Sequence, residues 1–151
     1  MKATKKSVEP FLTPGKIAIA GVSRNRKKFG YMLYDLLKKQ GYQVFPINPN
    51  VDRIDDEPCY PDIGLLPKDI RHLVVVTPKA RSKEVILAAV EHGMEHYWIQ
   101  RESQDPEAVA LLRERHLNVV TGECLFMYIE PVTGVHRFHR ALRRLFGGMP
   151  A

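Results

Sequence analysis

No stretch of this 151-residue sequence stays apolar for the roughly 18 residues that a membrane span requires. The basic opening, Met1–Pro10, is not followed by the apolar run of a secretory signal, so a cytoplasmic protein is expected. Cysteine is scarce. Cys59 and Cys124 stand 65 positions apart, which makes neither a disulfide framework nor a zinc pattern, and a reducing compartment keeps both as thiols. The histidines pair only as His92 with His96, across Gly93, and as His136 with His139. Neither pair has a cysteine or acid to complete a metal shell, so no metal is expected. Internal repeats and low-complexity tracts are missing, as are a Ser-His-Asp order and a paired-carboxylate signature.

What is present is globular in character. Hydrophobic residues make up 44% and charged residues 26%, and the length suits one domain with one core. The net charge of +6, with a pI near 9.4, raises the question of a nucleic-acid or anionic-membrane partner. The excess is confined to the ends. Lys2, Lys5 and Lys6 stand at one end and Arg137, Arg140, Arg143 and Arg144 at the other, and setting these seven aside leaves the remainder at −1. Three parts are therefore expected: a basic N-terminal segment (1–13), a domain (14–129) and a basic amphipathic extension (130–151).

Within the domain, short apolar runs alternate with amphipathic stretches. Strands are expected at Lys16–Ala20, Gln43–Asn48, Arg71–Thr77, Glu95–Gln100 and Leu117–Val120. Pro46 weakens the second of these, because proline has no N–H to give a ladder. Helices are expected at Tyr31–Gln40, at Ser82–His92 with Gly93 as its cap, and from Asp105-Pro106-Glu107 to about His116. Residues 49–70, rich in proline, glycine and acids, read as an irregular connection with a short helical turn. This alternation predicts an α/β fold, a single doubly wound parallel sheet of about five strands, Rossmann-like. Such sheets bind ligands at the carboxyl ends of their strands. The tail Val135–Phe146 has helical periodicity and is expected to pack on the domain or on a second subunit, or to meet RNA, DNA or an anionic membrane.

The loop after the first strand, Gly21 to Gly30, is not a dinucleotide fingerprint, since Ser23 and Arg26 stand where GxGxxG needs glycine, and no GK[ST] follows for a P-loop. It does offer a tight turn at Gly21, the Ser23 hydroxyl, a helix N-terminus, and the cations Arg24, Arg26, Lys27 and Lys28, a set suited to a phosphate. After the second strand stand Asn48-Pro49-Asn50, without the carboxylate that usually holds the ribose of NAD, so a phosphorylated ribose is tolerated there.

The ordered set Gly21-Val22-Ser23, Gly41 to Pro49 (GYQVFPINP), Cys59-Tyr60, Val74 to Pro78 (VVVTP), Trp98-Ile99-Gln100 and Cys124 resembles the small stand-alone CoA-binding domain family, whose members are similar to the CoA-binding domain of succinyl-CoA synthetase. The resemblance spans residues 14–127. The basic run Arg24–Lys28 departs from the family pattern, which often has a proline there. The resemblance implies that Gly21, Val22 and Ser23 line the pyrophosphate or adenosine side and that Asn48 and Pro49 sit by the ribose. It further implies that Thr77 and Pro78 close over the nucleotide and that Trp98 and Gln100 floor the pantetheine end. Against this, a lone strand tryptophan is more often core than contact. Cys124, after the last strand, is a candidate for a mixed disulfide with the CoA thiol, an inert thiol being the default.

The expected function is a non-catalytic CoA or acyl-CoA binding protein, a carrier, sensor or regulatory module, with a homodimer among its expected assemblies. Two alternatives stand beside it. One is an NAD(P)-binding domain of an oxidoreductase, disfavoured by Ser23 and Asn48. The other is a nucleic-acid-associated protein using the tail and the Arg24–Lys28 loop.

Overall fold

The computed structural model describes residues 3–129. The expected tail helix, with its four arginines, lies outside the described residues. The chain opens with one helical turn, α1 (Lys5–Val8), running into a 3-10 turn at Glu9–Phe11. Thr4 and Ser7 start it by a reciprocal cap: the Ser7 N–H donates to the Thr4 hydroxyl at 3.1 Å and the Thr4 N–H to the Ser7 hydroxyl at 2.9 Å. Then follow β1 (Lys16–Ala20), α2 (Phe29–Lys39), β2 (Gln43–Ile47), a small hairpin of β3 (Arg53–Ile54) and β4 (Glu57–Pro58), and β5 (His72–Val75). Next come α3 (Lys79–His92), β6 (His96–Ile99), α4 (Pro106–Glu114) and β7 (Asn118–Thr121).

Five strands form one all-parallel sheet in the order β2-β1-β5-β6-β7. The expected doubly wound, Rossmann-like architecture is thus present. The chain begins in the middle, goes to one edge and returns past its start, so the winding direction reverses between β1 and β5. The register sorts side chains cleanly. Ile19, Val74, Trp98 and Val120 lie in line across the sheet, as do Ala18, Leu73, Tyr97 and Val119 one residue earlier on the other face. The first face is covered by Leu33, Tyr34 and Leu37 of α2 and by Val8 and Phe11. The second is covered by Ile86 and Ala89 of α3 and Ala108 and Leu112 of α4. Each large aliphatic group so buried contributes about 1.5–3 kcal/mol, far more than ion pairs as exposed as Lys39–Asp35.

The expected boundaries shift where local rules compete. Pro46 stays within β2 because β2 is an edge strand, paired only with β1 in this sheet. Its carbonyl still accepts from the Tyr60 N–H at 2.9 Å, and the Asn48 N–H donates to the Tyr60 carbonyl at the same distance. The third helix starts a turn earlier than expected, at Lys79 with Pro78 as cap, whereas Gly93 ends it as expected at φ +94°. The Asp105 carboxylate accepts from the Ala108 N–H and Pro106 takes the first helical position, as read from the sequence. The connection at 49–70 holds the expected helical turn, a 3-10 turn at Ile63–Leu65, and also the hairpin, which was not expected.

The N-terminal segment is part of the core rather than a free basic arm. Phe11 is 1% exposed and meets Trp98 edge-on at 5.4 Å. The Tyr42 hydroxyl donates to the Phe11 carbonyl at 2.7 Å, and the Asn118 amide donates to the Ser7 carbonyl at 2.9 Å. Phe11 also packs edge-on against His72 and His96, whose rings stack 4.4 Å apart.

Candidate functional site

A cavity of about 490 Å³ opens at the carboxyl ends of β1, β2 and β5, beside the point where the winding reverses. Five of the residues singled out from sequence meet on its wall: Gly21, Asn48, Pro49, Thr77 and Pro78. Its apolar part comes from Ala20, Ile47, Ile63, Val85 and Ala88. The volume lies within the usual range for a small-molecule site.

Close backbone packing shapes the rim. Gly21 has φ +106°, and a Cβ there would lie 2.9 Å from the Thr77 nitrogen. A Cβ on Gly30 would lie 2.5 Å from the Gly21 carbonyl oxygen. The turn after β1 is thus wedged between the start of α2 and the turn after β5, a fit that only glycine allows. Thr77 is buried; its hydroxyl lies 2.9 Å from that of Ser82, and its carbonyl accepts from the Ser103 hydroxyl. Neither α2 nor α3 has a side-chain cap at its N-terminus. Their first N–H groups therefore lack a side-chain acceptor, although in α3 the Arg81 N–H donates to the Pro78 carbonyl at 2.9 Å.

Asn48 does something the sequence does not suggest. Its amide donates to the Val22 carbonyl at 2.8 Å and its side-chain oxygen accepts from the Asn50 N–H at 2.9 Å. It ties the loop after β2 to the loop after β1, with one amide N–H and one lone pair of its oxygen left over. Beneath it, burial pushes the Cys59 thiol up.

The basic loop is folded locally and leans away from the cavity. The Ser23 hydroxyl accepts from the Asn25 N–H and the Asn25 side chain from the Lys27 N–H, each at 3.0 Å. Arg24 donates to the Arg53 carbonyl at 3.3 Å. Arg26 pairs with Asp55 at 3.2 Å and lies over the Tyr31 ring at 5.5 Å. Both arginines therefore hold the β3–β4 hairpin rather than facing the cavity. Lys27 is exposed, with no side-chain partner among the described residues.

Four other expected contacts lie off the wall. Val22 is fully buried. Trp98 is also fully buried, on the sheet face opposite the cavity, where its indole N–H donates to the Glu123 carbonyl at 3.0 Å. Gln100 is buried and accepts from the Leu125 N–H at 3.2 Å, pinning the turn that follows β7. Cys124 is half-buried and packs on the Trp98 side. Sequence reasoning missed a stripe on α3. Arg81, Glu84, Val85 and Ala88, at i, i+3, i+4 and i+7, face the cavity together, with Asn50 and Asp62 opposite. The helical spacing was there to be read, but starting the helix at Ser82 left Arg81 outside it.

Comparison with known proteins decides the family. The profile of the CoA binding domain matches residues 15–130. This chain belongs to that CoA-binding domain family. The domain is 27% identical over 126 residues to acetate–CoA ligase [ADP-forming] II of Archaeoglobus fulgidus, covering 81% of this chain and 19% of that protein. It spans a fifth or less of the length of the curated relatives it matches. Among solved structures, a conserved hypothetical protein from Pyrococcus furiosus is similar, with 34% identity and a TM-score of 0.70 over 73% of this chain and 95% of that one. A dinucleotide-forming acetyl-coenzyme A synthetase from Ca. Korarchaeum cryptofilum shares the fold, with a TM-score of 0.59 and 24% identity over 72% of this chain and 25% of that one.

Proposed function

We propose that the domain binds CoA or an acyl-CoA in the cavity at the ends of β1, β2 and β5, and performs no chemistry itself. It serves as a carrier, sensor or regulatory module. The observation that carries this reading is the convergence of Gly21, Asn48, Pro49, Thr77 and Pro78 on one wall, in a domain of this family. The apolar patch of Ile47, Val85 and Ala88 takes the adenine. The pyrophosphate lies over the turn at Gly21, where the N-terminus of α2, without a side-chain cap, favours an anion. The pantetheine then runs outward from the sheet.

Titration calorimetry with thermal shift tests it against CoA, acetyl-CoA, NAD, NADP and a short RNA. A ligand at about 100 times its Kd stabilises by about 2.7 kcal/mol, which raises Tm by roughly 5–10 °C in a chain of this size. CoA or acetyl-CoA is expected to give that rise. A shift with NAD and none with CoA would sink the reading. The likeness to acetate–CoA ligases favours one second reading, in which the domain presents CoA to a partner that carries the chemistry. A CoA-dependent acyl transfer that appears only with such a partner would support it.

A further inference from the structure

Resting on the CoA reading, the distribution of cations singles out one specific contact. The loop arginines are committed to the hairpin. Lys16, Lys38, Lys39 and Lys83 are each paired with a carboxylate. Arg81 is the only cation on the cavity wall among the described residues. It is exposed, and its guanidinium has no hydrogen-bond or ion-pair partner among them. It stands in the first turn of α3, whose positive end adds to its charge. Across the cavity lie Asn48, Pro49 and Asn50, the end of β2 where this class of sheet holds the adenosine ribose. No side chain of that loop is charged, and the Asn48 amide is held in place by the Val22 carbonyl and the Asn50 N–H. Asp62 and Glu84 share the wall, and neither forms an ion pair with Arg81. They are acceptors for ribose hydroxyls or the adenine amino group, and they confine an anion to the neighbourhood of the guanidinium.

We propose that Arg81 takes the 3′-phosphate of the adenosine ribose and so makes the cavity selective for CoA over nucleotides that lack this group. A planar guanidinium grips phosphate oxygens through two parallel N–H donors, which lysine cannot reproduce.

Calorimetry on the full chain with CoA and with 3′-dephospho-CoA tests this. The wild type is expected to prefer CoA by roughly ten- to a hundredfold, the range of a charge-assisted contact. Arg81→Gln is expected to lose that factor on CoA and to leave dephospho-CoA affinity unchanged. Arg81→Lys, which keeps the charge without the fork, is expected to fall between, and it serves as the second variant should glutamine disturb folding. Equal affinity of the wild type for the two ligands overturns the assignment. So does an Arg81→Gln chain that keeps its CoA affinity or weakens on both ligands alike. A wild-type chain that binds neither ligand instead overturns the CoA reading beneath it.

Discussion

Single residues here act mostly through backbone groups. Gly21 is the sharpest case, because a methyl group at that position meets both a left-handed φ and the Thr77 nitrogen. Gly21→Ala is expected to cost about 2–4 kcal/mol, from strain plus overpacking, read as a fall in Tm and as weakened CoA binding. Trp98 is the single tryptophan of the chain. Sealed on the face away from the cavity, it is expected to emit in the blue, to shift red on unfolding and to ignore ligand. A ligand-dependent change in its emission would contradict the placement described above. Much of the cavity wall was legible at this scale: Gly21, Asn48 and Pro49 stand in strand-end loops, and the family resemblance added Thr77 and Pro78. What Asn48 does was not legible, because its partner Val22 lies 26 positions away and only the fold brings the two loops together.

At the scale of elements, the β3–β4 hairpin draws the two arginines of the basic loop to itself. Arg26 looked free because Asp55 is remote in sequence. In the fold, Asp55 meets Arg26 and the Tyr31 hydroxyl, and Glu57 meets Lys38 and the Tyr34 hydroxyl. Burial, with Glu57 nearby, pushes the Tyr34 phenol up to about 12, so it donates throughout the working pH range. The hairpin turn places Asp55 and Asp56 at φ +48° and +64°, a conformation in which an Asp-Gly pair is preferred. Asp56→Gly is therefore expected to raise stability by about 0.5–1 kcal/mol, or a Tm increase of roughly 1–4 °C. No gain in a thermal melt would mean that the turn carries no strain. The strands were legible because a run such as Leu73–Val75, buried on both faces, has few other fates. A hairpin whose strands are two residues each has no periodicity to read.

For the molecule as a whole, the N-terminal segment decides how stability responds to acid. Burial holds both His72 and His96 below the usual imidazole range, and for His72 the neighbouring His96 adds to this; Glu95 opposes it in both. The Asn118 amide lies 3.1 Å from His96 Nδ1, so a neutral ring accepting at that atom completes the contact. The folded state thus prefers neutral rings, while the unfolded chain takes up protons near pH 6.5. Stability is then full above about pH 6.5 and falls as pH drops below it through the lowered folded values. Tm measured from pH 8 to pH 5 is expected to fall over that interval, and His72→Phe to shrink the fall. A flat wild-type profile would show that the pair does not couple to folding. Phe11→Ala, which empties the contact under both rings, is expected to cost about 3–5 kcal/mol. That coupling was hidden in a segment whose lysines drew attention, although Val8 and Phe11, three apart, already marked an inward face.

The pairing at Pro46 has a consequence for self-association. An open sheet ends in two unsatisfied rims, each a template for polymerisation. On the β2 side, proline removes one donor and Tyr60 occupies neighbouring groups through its N–H and carbonyl. Recruitment of a foreign strand is thereby discouraged along the rim next to the cavity, so the ligand's entrance is guarded against burial in an aggregate.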